Sequence, residues 1–111
     1  MYDKVVVIIS TAEAEKARTG MMYAVNAVLK NWMSEVKLIF FGPAQELLLK
    51  DPEMKDFLLQ FQQAGGNTTA CKFIADRDEL DAKISSLGVT VEYVGSMISD
   101  LIKEGYVPLI W

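Results

Sequence analysis

The sequence predicts an α/β fold, a three-layer α/β/α sandwich around a five-stranded parallel sheet. Short apolar runs alternate along the chain with longer segments whose apolar residues recur every three or four positions. The first run, residues 5–9, consists of Val and Ile without a polar residue, which is typical of a strand covered on both faces. Right-handed helical crossovers between such strands place helices on both sides of one sheet.

The first two strands and the helix between them have the clearest patterns. A strand is predicted at 4–9, and the long helix after it is expected to begin with a capping box, because Ser10 precedes Glu13 by three residues. The apolar face of this helix is predicted to extend to Trp32. The second strand is predicted at 36–41, where a Gly-Pro pair stops another apolar run.

The middle of the chain is predicted to contain two helical pieces and a short strand. One or two helical turns are expected at 44–49. Asp51 and Pro52 are residue types favoured at the N-cap and at the first position of a helix, and the Gly-Gly pair at 65–66 is expected to end that helix. The third strand is predicted at 68–71, where the β pattern is weakest.

The last third of the chain continues the alternation of predicted helices and strands. Apolar spacing between 80 and 87 predicts a helix, with a short extra turn before it. The fourth strand is predicted at 90–94, ended by Gly95, and Ser96 is the predicted N-cap of the final helix. The fifth strand is predicted at 106–111. Strands and crossovers together account for nearly the whole sequence.

Composition narrows the classes of function. A chain of 111 residues can enclose one two-sided sheet and no second core, so one domain over residues 1–111 is expected. Its hydrophobic residues, 51% of the total, fall in short runs, and no signal peptide or membrane span is expected. The net charge of −4 argues against nucleic-acid binding, which needs a clustered basic surface. These features predict a cytoplasmic protein that binds neither nucleic acid nor a membrane.

The inventory of reactive side chains is short. The chain has one cysteine, Cys71, and no histidine, which excludes an internal disulfide, a CxxC pair and every catalytic dyad that needs imidazole. No glycine-rich phosphate loop follows the first strand, and the acidic cluster at 76–81 lacks the spacing of a calcium loop. We therefore expect no cofactor and no metal, and we expect any covalent chemistry to involve Cys71.

Topology predicts where a site should lie. Ligands of open parallel sheets bind at the carboxyl ends of the strands, where loops and helix N-termini converge. Cys71 follows the third strand at this edge. The residues predicted to line a pocket around it are Ser10, Thr11, Gly42, Gly95 and Ser96.

A thiol at this edge needs electrostatic support to react. Lowering a thiol pKa from ~8.5 to ~7 takes about 2 kcal/mol, whereas a helix N-terminus contributes roughly 0.3–1 kcal/mol. Lys72, Arg77 and a basic residue after the first strand, such as Lys16 or Arg18, are the candidate sources of the remainder. The alternative interpretation is that Cys71 is a small apolar core residue, because free cysteine is among the most buried residue types.

The segment GGNTTACKFIA and the ending VEYVGSMISDLIKEGYVPLIW resemble the DsrE/DsrF-like family of sulfur-relay proteins over nearly the whole chain. Family members place a cysteine after the third strand, between a glycine-containing turn and a short helix, which corresponds to Gly65, Gly66 and Cys71 here. The resemblance implies a homo-oligomer, a trimer or hexamer, that accepts sulfur on Cys71 as a persulfide or related adduct. Its implied partners are a sulfur-carrier protein or a small thiol or persulfide donor.

Two other functions are compatible with the same residues. One is a non-enzymatic, oligomeric binding or scaffold subunit with an inert Cys71, and the other is a redox sensor whose thiol forms an intermolecular disulfide. A second motif, Arg18-Thr19-Gly20, interrupts an apolar helix. A glycine there costs roughly 1 kcal/mol relative to alanine, so we interpret it as a close helix contact or a kink in preference to an anion site.

Overall fold

The computed structural model describes residues 2–111, and Met1 of the predicted domain lies outside them. Five parallel strands form one sheet in the order β4-β3-β2-β1-β5: β1 (Lys4–Ile9), β2 (Glu35–Phe40), β3 (Thr68–Cys71), β4 (Thr90–Glu92) and β5 (Val107–Ile110). The helices of the described residues are α1 (Ala14–Leu29), α2 (Ala44–Lys50), α3 (Pro52–Gln63), α4 (Lys72–Arg77), α5 (Asp81–Ser85) and α6 (Val94–Lys103). The predicted α/β class and parallel five-stranded sheet are confirmed.

The strand order determines which helices cover each face of the sheet. β1 to β4 follow one another across the sheet, so right-handed connections place α1, α3 and α5 on the same face. The chain then returns from β4 to β5 at the opposite edge, and α6 therefore covers the other face. The side chains alternate accordingly, because Val5 and Val7 pack with α1 and α3 whereas Val6 and Ile8 pack with Leu101 of α6. The three layers are unequal, with a broad helical layer on one side and chiefly one helix on the other.

Two features of the first helical layer confirm details of the sequence analysis. Asp51 is the N-cap of α3 and accepts a hydrogen bond from the Met54 N–H at 3.0 Å. Gly20 lies where α1 approaches the sheet, and a Cβ added there would be 2.5 Å from Ile9 Cδ1 and 2.8 Å from the Trp111 ring. The glycine is therefore a close-packing site, as predicted.

The predicted start of α1 is wrong. Glu13 is the N-cap, and its N–H donates at 3.0 Å to the side-chain oxygen of Thr11, so Ser10 is not part of a capping box. The backbone N–H groups of Ser10 and Thr11 instead donate to the Trp111 carbonyl at 2.6 and 3.2 Å. Of the two N–H groups that a capping box would use, that of Ser10 thus donates to the Trp111 carbonyl and that of Glu13 to Thr11.

Other predicted boundaries differ by one to several residues. Trp32 lies beyond α1, because the helix ends at Leu29 and Asn31 adopts a left-handed backbone with φ of 54°. α6 begins at Val94, so Gly95 and Ser96 lie inside its first turn and neither ends β4 nor caps the helix. β2 starts and ends one residue earlier than predicted, and β5 is shorter than predicted.

Candidate functional site

Cys71 is the last residue of β3 and the N-cap of α4. Its position at the carboxyl edge of the sheet is as predicted, but the residue is only 5% exposed and its side chain makes no capping hydrogen bond. It packs on the α6 side of the sheet. The other members of this cluster are Val6, Ile8, Ile39, Val94, Leu101 and Tyr106, with Ile74, Met97 and Ile98 at its border.

A buried glutamine fixes the backbone beneath the thiol. The Gln45 Nε2 donates to the Cys71 carbonyl at 3.1 Å, and the Gln45 Oε1 accepts from the Gly42 N–H at 3.0 Å. This side chain therefore ties the end of β3 to the end of β2. Sequence analysis missed Gln45, because a buried polar side chain within an otherwise ordinary amphipathic helix gives no local signal.

Two of the cations proposed to support the thiol are paired with carboxylates. The Lys72 Nζ lies 3.1 Å from Asp76 and 3.6 Å from Asp81, and its hydrogen bond to Asp76 raises its pKa. The Arg77 Nε lies 2.9 Å from Asp78, and that hydrogen bond raises the pKa of Arg77. Within residues 2–111, no hydrogen bond joins either cation to the thiol. Their charges are satisfied by the acidic cluster that follows β3.

The third proposed cation, Arg18, belongs to the opposite face of the sheet. Its guanidinium makes a two-pronged contact with the buried Asp51, with Nε 2.9 Å from Oδ2 and Nη2 bonded to Oδ1. The Glu53 carboxylate is a second partner, with its Oε2 3.5 Å from the Arg18 Nε. The Arg18 hydrogen bond holds the pKa of Asp51 below its usual value, while burial opposes that shift. Arg18 therefore joins α1 to α3, away from Cys71.

The predicted pocket residues fall into two separate groups. Ser10, Thr11 and Gly42 meet beyond β1 and β2. Gly42 has φ of 101°, and a Cβ added there would lie 3.2 Å from the Ser10 side-chain oxygen, so the loops are in close contact. The backbone N–H groups of all three residues already have acceptors, either the Trp111 carbonyl or Gln45. This group closes the end of the sheet.

Gly95 and Ser96 form the second group, in the first turn of α6. The Ser96 hydroxyl is 3.5 Å from the Tyr93 carbonyl, and nothing lies within 4 Å of a Cβ added at Gly95. Exposed aromatic residues follow the strands on this side, with Tyr93 60% and Phe73 63% exposed. Sequence analysis did not single them out. The available signal was an aromatic residue one or two positions after a strand.

A groove of about 440 Å³ lies on the α6 side of the sheet. Its floor is the part of β2, β3 and β4 that α6 leaves uncovered, and one wall is α6 itself. It is lined by Lys37, Leu38, Ile39, Asn67, Thr69, Thr90, Glu92, Met97 and Leu101. None of the predicted pocket residues lines it. The sequence did carry a sign of it, because the otherwise apolar run of β2 contains Lys37 and β3 contains two threonines.

Comparison with known proteins supports the fold and leaves the activity open. The structure is similar to that of a conserved protein of unknown function from Bacteroides thetaiotaomicron, with a TM-score of 0.89 and 24% sequence identity over 98% of this chain and 95% of that one. The sequence matches no known family and no curated protein. The chain is therefore placed by its architecture, an open parallel α/β sheet shared with an uncharacterised bacterial protein.

Two further features are absent from residues 2–111. No helix there combines the length and apolar character needed to cross a bilayer. No group of three or more Cys, Asp or Glu side chains in that range is arranged to hold a metal ion.

Proposed function

We propose that this protein is a non-enzymatic binding subunit in which Cys71 is a packing residue. The observation that carries the proposal is the position of the side chain, 5% exposed within the apolar cluster under α6. A free cysteine in such surroundings behaves as a small hydrophobic residue. Reactive cysteines, in contrast, lie in electropositive and partly exposed surroundings.

The paired cations support the same interpretation. Lys72 and Arg77 are the cations nearest to Cys71 in sequence, and each is bonded to an aspartate. Redirecting either one toward the sulfur requires breaking an existing ion pair. The binding role is assigned to the groove, whose volume falls in the range of small-molecule sites, roughly 300–1,000 Å³.

Sulfur relay is the second candidate, and the position of Cys71 favours it. The one thiol of the chain lies at the carboxyl edge, at the start of α4 and beside the exposed Phe73 and Tyr93, which offer a surface for a partner. In such a relay, the Cys71 thiolate attacks the outer sulfur of a donor persulfide, and the donor leaves as a thiolate. The thiolate of an acceptor then attacks the outer sulfur of the Cys71 persulfide and releases Cys71 unchanged.

Thiol labelling separates the two candidates. We expect a maleimide to label native Cys71 at least about a hundredfold more slowly than the unfolded chain, because labelling must wait for local opening. Incubation with a persulfide donor, followed by mass spectrometry, should leave native Cys71 unchanged. Addition of one sulfur to the wild type, absent from the Cys71→Ala control, would instead establish the relay.

We also propose that the subunit forms a homo-oligomer, with a trimer or hexamer as the expected assembly. The support is the apolar β5 edge, where Ile110 is 67% exposed on the α6 side of the sheet and Ile102 of α6 is also exposed. Pairing of β5 with a second copy would remove such side chains from water. Light scattering of the wild type should give a multiple of the protomer mass, and Ile110→Lys should reduce it. A monomeric wild type would contradict the proposal.

A further inference from the structure

One partly buried cation differs from the others. Four cationic side chains within residues 2–111 are partly buried, namely Lys4, Arg18, Lys37 and Lys72. Three of them have a carboxylate within 4.0 Å. Lys37 has neither an ion pair nor a side-chain hydrogen bond in the described chain. Its ammonium is therefore free to pair with an external anion, whereas the other three cations are already occupied.

The register of the sheet surrounds Lys37 with other donors. Ile39 pairs with Thr69 across β2 and β3, so Lys37 lies opposite Asn67, two residues earlier on both strands. Side chains two residues apart share one face of a strand, and Ile39 belongs to the α6 side. The ammonium of Lys37, the amide of Asn67 and the hydroxyl of Thr69 therefore face the same groove. Together they form a polar end that can donate several hydrogen bonds to one anion.

The rest of the groove has a different character. Met97 and Leu101 of α6 form an apolar wall, and Ile39 contributes to the floor. Glu92 lies toward the other end, because it pairs with Cys71, two residues beyond Thr69 on β3. Its carboxylate repels an anion there, which leaves Lys37 as the favoured position for a negative head group.

We propose that this groove binds a small amphipathic carboxylate, with its head group at Lys37 and its carbon chain along Met97 and Leu101. The proposal names the ligand class for the binding role proposed above and rests on that role. Charge complementarity fixes the head group, and burial of the chain against α6 supplies the apolar contribution. The ligand thus gives Lys37 the partner that the chain itself does not provide.

The test compares two probes with the same carbon chain. Backbone amide shifts of the full-length protein are followed by NMR during titration with octanoate or with neutral octanamide. We expect octanoate to bind at least about tenfold more tightly, because a charge-assisted hydrogen bond to Lys37 is available only to the carboxylate. The shifts should concentrate in β2, β3, β4 and α6.

Matched lysine variants identify the group responsible. Lys37→Met should bind the two probes with equal affinity, whereas Lys16→Met, at an exposed position on α1, should keep the wild-type preference. Thr90→Trp fills the groove from the exposed edge strand and should abolish octanoate binding while leaving the melting temperature near that of wild type. Equal affinities in the wild type, an unchanged preference in Lys37→Met, or binding that survives Thr90→Trp would each overturn the proposal.

The outcome is distinguishable from failure of the inert-thiol proposal. Cys71→Ala should bind octanoate as the wild type does, because Cys71 does not line the groove. Rapid labelling of native Cys71 would remove the inert-thiol claim and leave the octanoate result standing. Slow labelling of Cys71 without octanoate binding would support the inert thiol and contradict the carboxylate site.

Discussion

The two faces of the sheet are built differently, because one is closed over a large core and the other leaves a groove uncovered. On one face, α1, α3 and α5 enclose large buried side chains such as Phe40, Phe61 and Met21, together with most of the core. On the other, α6 covers a smaller cluster and leaves a groove over β2, β3 and β4. Each face also contains one buried titratable side chain that hydrogen-bonds to a residue of another element. Asp51 bonds to Arg18 on the first face, and Tyr106 bonds to Glu35 on the second.

Removing Asp51 should have the largest effect. Asp51→Ala deletes both a partner of Arg18 and the N-cap of α3, and we expect a loss of about 2–3 kcal/mol in the free energy of unfolding, because Arg18 is partly exposed and keeps Glu53 as a partner. Asp51→Asn keeps a capping acceptor and should lose less. Urea titration of both variants measures the difference. Equal losses would show that the ion pair, and not the cap, dominates.

Asp51 also determines how the stability of the first face should depend on pH in acid. Because Arg18 lowers the folded-state pKa of Asp51 from its ordinary value of 3.8, the stabilisation is present above that value. It is lost as the pH falls through the lower folded-state value. Asp51→Asn should therefore show a flatter dependence of stability on pH below about 4 than the wild type.

The stability contributed by the second face should instead decrease at alkaline pH. Burial and the 2.9 Å hydrogen bond to Glu35 raise the pKa of Tyr106 from 10.0 to about 12. A raised pKa means that stability is fully present below pH 10 and is lost as the pH rises toward 12, by about 2 kcal/mol. Tyr106→Phe cannot ionise and should lose less stability over that interval, as measured by urea titration at each pH. Parallel curves would exclude Tyr106 as the source.

Two helical glycines provide a direct test of the difference in packing. Gly20→Ala places a methyl group against Ile9 and Trp111, where overpacking of about 1–3 kcal/mol outweighs the roughly 1 kcal/mol gained in helix propensity. Gly95→Ala meets nothing within 4 Å and should be neutral or stabilising. Thermal unfolding should therefore move the two midpoints in opposite directions. A stabilised Gly20→Ala would mean that the contact with the sheet is easily relieved.

The sequence was sufficient for the fold because its signals are local. Unbroken β-branched runs, the Asp51-Pro52 helix start and the glycine stops each act over a few residues, and the parallel topology follows from their alternation. The thiol at the end of β3 was also predictable, because it depends on strand position. The absence of cations beside the thiol within residues 2–111 was not predictable, because their partners are distant in sequence: Arg18 pairs with Asp51, 33 residues away, and Lys72 lies near Asp81 across a helix boundary. Lys37 and the threonines of β3 are a local sign of a polar position in the sheet, but the size of the groove depends on how much sheet α6 leaves uncovered, which is decided by tertiary packing.

Adjacent threonines of β3 should show the smallest effects and the clearest contrast between faces. Thr68 faces the crowded side, and its buried hydroxyl has no hydrogen-bond partner within residues 2–111. Thr68→Val removes that unsatisfied group at nearly constant shape and should stabilise the protein by about 0.5–1 kcal/mol in urea titration. Thr69→Val, one residue later in the groove, should change stability by less than about 0.5 kcal/mol but weaken octanoate binding. If Thr68→Val were destabilising, its hydroxyl would have to be satisfied by water, and the first face would be less tightly closed than its burial indicates.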